Sequence, residues 1–188
     1  DKRLTNTKLI SNIDLFQKQG GYAPFLSSYL FDIKNARVPY ESNELEFCNK
    51  NLTDEQKKAV QIMYDAPDIA LIQGPPGTGK TTVLRTILEV YRRLHPDGKI
   101  ALMAPTGRAS RRMSESTGFE DARTLHSGLG LTSEEDEGSR NRKSEPLSAD
   151  LIIVDEFSMV DMWLAEKFFE RMKANARIVL VGDPDQLP

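Results

Sequence analysis

Cysteine is almost absent: Cys48 is alone among 188 residues. One thiol closes no internal disulfide and builds no thiolate metal cluster, so the fold must rest on its core, as expected in a reducing cytoplasm. No apolar run approaches the roughly 20 residues that a membrane helix needs, which excludes a helical span. Neither sign of charge dominates, because 25 Lys and Arg stand against 28 Asp and Glu for a net charge of -3. A protein that binds nucleic acid through a global positive field is thereby excluded, and any such contact must be local. The chain also lacks an initiator methionine and a secretory leader. It starts at Asp1 and stops at Pro188, directly after a motif suited to an active site, and it is expected to be a fragment of something larger.

What is present is enough for one ordinary domain. Apolar residues make up 39% and charged residues 28%, the balance of a globular chain with a real core. Residues 1–50 carry apolar clusters at Leu9, Ile10, Ile13, Leu15 and Phe16, then at Phe25, Leu26, Tyr29, Leu30 and Ile33. Gly20, Gly21 and Pro24 interrupt them, and the spacing predicts a short helical N-terminal segment, the end of a preceding domain or a linker. From residue 51 the pattern changes. Four aliphatic runs, Ile69–Ile72, Ile100–Met103, Leu151–Val154 and Ile178–Val181, alternate with helical stretches. Runs that do not alternate apolar with polar read as strands buried on both faces, so the expected class is α/β, a parallel sheet flanked by helices. Between Leu131 and Ser148 lies a polar segment with Glu134, Glu135, Asp136 and Glu137, then Arg140, Arg142 and Lys143. It has almost nothing to bury and reads as a solvated loop or hairpin.

The segment Gly74-Pro75-Pro76-Gly77-Thr78-Gly79-Lys80-Thr81 has the spacing G-x-x-x-x-G-K-[ST] between a predicted strand and a helix predicted to reach about Leu94. Glycines let backbone N–H groups turn inward around a phosphate, and the helix that follows aims the positive end of its dipole at the same anion. Lys80 suits the β- and γ-phosphates as a point charge, and the Thr81 hydroxyl suits an octahedral Mg²⁺. The candidate binding set is Gly74, Gly77, Thr78, Gly79, Lys80, Thr81 and Thr82, with ATP and Mg²⁺ as the implied cofactors.

A second element complements the first. The run Leu151–Val154 ends in Asp155-Glu156, at the strand end where open α/β sheets bind ligands. Asp155 is the candidate metal carboxylate, and Glu156 the candidate base for the water that attacks the γ-phosphate. Capping of the next helix is a sound alternative for Ser158 or Asp161 but a poor one for two acids that close an apolar strand. A phosphotransferase needs no water-activating glutamate, so the pair points to an NTP hydrolase.

Several further motifs resemble those of superfamily 1 DNA helicases of the RecD type. Gly182-Asp183-Pro184-Asp185-Gln186-Leu187-Pro188 resembles helicase motif III, and Asp155-Glu156-Phe157-Ser158-Met159-Val160-Asp161 resembles the RecD Walker B segment. The resemblance covers about residues 50–188 and implies the first RecA-like motor domain, with the second motor domain absent. It makes Gln186 a γ-phosphate contact, catalytic alongside Lys80 and Glu156. A neutral amide there can donate a hydrogen bond only while the γ-phosphoryl is present, so it can report hydrolysis. Leu52-Thr53-Asp54-Glu55-Gln56 resembles the helicase Q motif, in which the glutamine reads adenine; Thr53 and Gln56 also spell a helix capping box, and both readings stay open. Met103-Ala104-Pro105-Thr106-Gly107-Arg108-Ala109 resembles motif Ia, and Thr124-Leu125-His126 resembles the next motif. Thr106, Arg108, Thr124 and His126 are then candidates for gripping single-stranded DNA, with Arg111 and Arg112 adding local positive charge.

The resemblance further implies ATP-driven 5′ to 3′ translocation by a monomeric motor, with nuclease–helicase complex subunits as potential partners. It also implies a strand-splitting pin hairpin at 131–148. Without the second domain's arginine fingers, these residues are expected to bind Mg·ATP yet barely hydrolyse it and not to unwind DNA. The alternative is an AAA+-type ATPase or a nucleotide-dependent switch module.

Overall fold

The computed structural model describes residues 44–74, 77–131 and 146–183. The expected N-terminal helices within residues 1–43, the core of the candidate pin at 132–145, and Gln186 lie outside the described residues. The elements in chain order are α1 (Asp54–Asp65), β1 (Ile69–Gln73), α2 (Lys80–Leu94), β2 (Ile100–Ala104), α3 (Gly107–Thr117), β3 (Ala122–Thr124), the single-turn α4 (Leu125–Gly128), β4 (Leu151–Val154), α5 (Met162–Glu170) and β5 (Arg177–Gly182). A short 3₁₀ turn, Phe157–Met159, links β4 to α5.

All strand pairs are parallel, in the order β1-β5-β4-β2-β3. Parallel pairing demands crossover helices, and these divide the core in two. On one face Ala70, Ile72, Leu102, Leu151, Ile153, Val179 and Val181 meet α1, α2 and α3. On the other, Met103, Ile152, Val154, Ile178 and Leu180 meet α4, α5 and the aromatic trio Phe157, Phe168 and Phe169. Helix α2 shows why it lies where it does: Val83, Leu84, Ile87, Leu88, Val90 and Tyr91 are buried and form one stripe of helical period. β4, at the sheet's centre, has no exposed residue. Truncating one of its isoleucines to alanine should cost about 2–5 kcal/mol.

Two expectations are corrected. Among the described residues there are five strands, since β3 (Ala-Arg-Thr) is a three-residue edge strand paired there only to β2. Nor is every run buried on both faces: β1 alternates, with Leu71 75% exposed. Among the described residues β1 is the other edge of the sheet, and the second core reaches it only at Ile69. No helix among the described residues is long and apolar enough to cross a membrane.

Candidate nucleotide site

In a parallel sheet every strand delivers its last residue to the same edge. Here that edge carries the phosphate-loop segment after β1, Asp155 after β4 and Asp183 after β5. The register places Gln73 opposite Gly182, so the start of the loop and Asp183 are neighbours. The Asp155 N–H donates to the Met103 carbonyl at 3.0 Å, which ties the end of β4 to β2.

Gly77 and Gly79 have φ of +84° and +83°, a region closed to ordinary side chains. A Cβ on Gly79 would also collide with the Gln56 amide nitrogen. Gly79 is the N-cap of α2 and supplies no side-chain cap, and the first turn holds no acidic residue. Unlike an ordinary helix start, this one leaves its free N–H groups and positive dipole end available to an anion. Lys80 donates to the Gly74 carbonyl and lies 3.9 Å from the carboxylate of Asp183, a residue 97% buried.

A cavity of 430 Å³ joins these groups. Gly77, Gly79, Lys80 and Thr81 line one wall and Asp155, Glu156, Gly182 and Asp183 another; Ala109, Arg112, Met113 and Ser116 of α3 close it. An adjoining hollow shares Thr81 and Ser116 and passes Thr82 and Arg85 along α2 toward Cys48 and Asn49. Among the described residues no group of three or more His, Cys, Asp and Glu side chains could hold a metal unaided. Of the donors that line the cavity, the Thr81 hydroxyl and the Asp155 carboxylate fit Mg²⁺, which takes few protein ligands and completes its shell with phosphate and water.

Glu156 has φ +53° and ψ +35°, left-handed backbone that a non-glycine residue rarely adopts. Its N–H donates to Asp155 Oδ1 at 2.9 Å, and its carbonyl accepts from Met159 at 3.0 Å. The two bonds hold a strained turn at the strand end, the kind of distortion found at functional sites. Asp161, the alternative capping acid, does cap α5, accepting from the Leu164 N–H at 2.8 Å.

Gln56 forms the capping box: its side-chain oxygen accepts from Thr53 N–H at 3.1 Å, and its own N–H donates to Thr53 Oγ1 at 3.3 Å. The amide nitrogen remains against Gly79. Thr106 caps α3, accepting from Ala109 N–H at 3.2 Å, and Thr124 caps α4, accepting from Ser127 N–H at 3.1 Å. Arg108 and His126 are exposed, and the His126 ring lies 6.4 Å from that of Trp163. All four sit at the C-terminal ends of β2 and β3, beside the nucleotide cavity but outside its lining.

Two residues that line the cavity carry no nucleotide role in the sequence motifs. Asp183 was passed over in favour of Gln186, although an aspartate right after a buried strand occupies the position of Asp155. Arg112 was grouped with Arg108 and Arg111, and only the phase of α3 separates it from them.

Fold and site together define a RecA-like P-loop NTPase domain. A family model described as an AAA domain matches residues 56–188. The chain is 38% identical over 157 residues to the RecBCD enzyme subunit RecD of Haemophilus influenzae, covering 72% of this chain and 24% of that protein. It is 37% identical over 141 residues to the ATP-dependent RecD2 DNA helicase of Deinococcus radiodurans, covering 75% and 19%. Among solved structures, the Pif1 helicase of Candida albicans superposes with a TM-score of 0.52 at 26% identity, over 73% of this chain and 33% of that one. A Bacteroides Pif1 bound to single-stranded DNA gives 0.50 at 28% identity, over 74% and 34%. The UvsW helicase of bacteriophage T4, at 12% identity, shares the fold. The chain belongs to this AAA-domain family and, within it, to the RecD-like superfamily 1 helicases. It spans between 19% and 28% of the length of three curated RecD and RecD2 relatives that it matches.

Proposed function

We infer that residues 51–188 form the first motor domain of an ATP-dependent DNA helicase. The observation that carries this reading is the single cavity that brings Lys80 and Thr81 of the phosphate loop to Asp155 and Glu156 at one sheet edge. In this reading the inward N–H groups of residues 77–81 hold the β-phosphate, and Lys80 leaves the Gly74 carbonyl for the β- and γ-phosphates. Thr81 and Asp155 hold Mg²⁺, which would neutralise charge developing on the phosphoryl oxygens. Glu156, aimed by its left-handed backbone, orients and deprotonates the attacking water. Gln186 senses the γ-phosphate, and Gln56 contributes its amide nitrogen beside the loop.

Thr106, Arg108, Thr124 and His126 grip single-stranded DNA, the first three by backbone phosphate and His126 beside Trp163. The motor moves 5′ to 3′ as a monomer or within a nuclease–helicase complex, in the cytoplasm. The 188 residues alone bind Mg·ATP but turn it over slowly and do not unwind, because an arginine finger from a second domain is worth about 10³–10⁵ in rate.

The test is steady-state ATPase of the full-length protein with and without single-stranded DNA, for wild type and Glu156→Gln. DNA-stimulated hydrolysis that the substitution abolishes, with ATP binding retained, is the expected result. Turnover indifferent to DNA would replace the motor with an AAA+-type remodeller or a switch.

A further inference from the structure

Helix α3 turns one stripe toward the nucleotide cavity: Ala109, Arg112, Met113 and Ser116, at spacings of three, one and three residues. Ala109 and Met113 are buried and fix the helix against the core, while Arg112 is exposed. Arg108 and Arg111 do not line the cavity. The stripe therefore divides an arginine cluster that looks uniform in sequence into one member facing the nucleotide and two facing elsewhere.

The charges of the cavity give Arg112 a task. Its lining carries three carboxylates, Asp155, Glu156 and Asp183, against two cations, Lys80 and Arg112. Lys80 is already drawn to the Gly74 carbonyl and toward Asp183. No hydrogen bond or ion pair ties Arg112 to another described residue. A net-negative cavity must still accept a polyphosphate anion, and a guanidinium on a wall rigidly packed against α2 offers forked donors for phosphoryl oxygens.

We propose that Arg112 is a phosphate ligand supplied by this domain itself, contacting the γ-phosphoryl group of the bound nucleoside triphosphate. The proposal rests on the reading of the cavity as a Mg·ATP site. It also gives α3 two ends with different duties. Thr106 and Arg108 stand at its N-terminus, where DNA is expected, and Arg112 stands one turn further on against the nucleotide. A shift of α3 on loss of the γ-phosphate then moves the DNA-facing end directly.

The experiment is calorimetric titration of the full-length protein, wild type, Arg112→Gln and Arg112→Lys, with ATPγS and with ADP in the presence of Mg²⁺. Loss of one charge-assisted contact predicts ATPγS binding weakened about 10- to 100-fold in Arg112→Gln, ADP binding within about twofold of wild type, and partial recovery in Arg112→Lys. Unchanged ATPγS affinity, or equal loss for both nucleotides, overturns the γ-phosphate assignment. Loss of affinity for a single-stranded oligonucleotide with nucleotide binding intact assigns Arg112 to the DNA surface instead. A wild type that binds neither nucleotide sinks the underlying site reading, a failure distinct from these.

Discussion

The strained turn at Glu156 predicts an inversion of a familiar rule. Replacing alanine by glycine in regular structure costs about 0.5–1 kcal/mol, because glycine gives up more freedom on folding. At position 156 the backbone sits at φ +53°, where a Cβ costs about 1–2 kcal/mol. Strain relief minus the glycine penalty leaves Glu156→Gly more stable than Glu156→Ala by about 0–1.5 kcal/mol. The hydrogen bond from residue 156 N–H to the Asp155 carboxylate uses only the backbone of residue 156 and survives in both variants, so the comparison isolates the Cβ. Thermal and denaturant unfolding read the difference, and about 1 kcal/mol corresponds to roughly 2–4 °C for a domain of this size. Both variants should bind ATP and fail to hydrolyse it, so stability would rise as activity vanishes. Should Glu156→Gly be less stable than Glu156→Ala by the usual margin, the turn is unstrained and the argument for a backbone-aimed base collapses.

Gly79→Ala meets both a φ of +83° and the Gln56 amide; it should lower the unfolding midpoint and abolish nucleotide binding, as nucleotide-dependent thermal shifts would reveal. The hydrogen bond from Lys173, and after it the Lys99 N–H, hold the Asp150 carboxyl below its ordinary value. A depressed folded-state pKa stabilises above the unfolded value and is lost as pH falls through the folded one. The stability gap between wild type and Asp150→Asn should therefore be open at about pH 7 and narrow as the pH falls below the ordinary carboxylate range, read as urea midpoints along an acid titration. Because the His126 and Trp163 rings are 6.4 Å apart, oligonucleotide binding should change the emission component that Trp163→Phe removes. An unchanged component on saturation with DNA would move the DNA track away from His126.

Four strands were legible because Ile69–Ile72, Ile100–Met103, Leu151–Val154 and Ile178–Val181 are aliphatic runs with few other uses in a chain this polar. β3 was not, since Ala-Arg-Thr lies at an edge and carries an exposed arginine; pairing to β2, not hydrophobicity, makes it a strand. Leu71 departs for the converse reason: a run can be apolar throughout while the described helices cover only one side of it. At the site, Lys80, Thr81 and Asp155, which all line one cavity, were legible as a group from their motif spacing. Arg112 and Asp183 were not, since neither the phase of α3 nor the register of β5 against β1 is written in a local pattern. Gln56 carried two readings in sequence, and the structure uses its oxygen in the cap while its nitrogen stays by the loop.

The two threonines that start α3 and α4 are entangled positions. Each hydroxyl oxygen accepts a backbone N–H, while its proton is still free to be given to a passing phosphate. Alanine at Thr106 or Thr124 removes both at once, and the lost cap alone is worth about 0.5–2 kcal/mol. A scan by alanine would thus mix the lost cap into any effect read as loss of the proposed DNA contact. Serine keeps both bonds, and aspartate keeps the cap while repelling a phosphate, so the serine–aspartate contrast separates the capping role from the proposed phosphate contact.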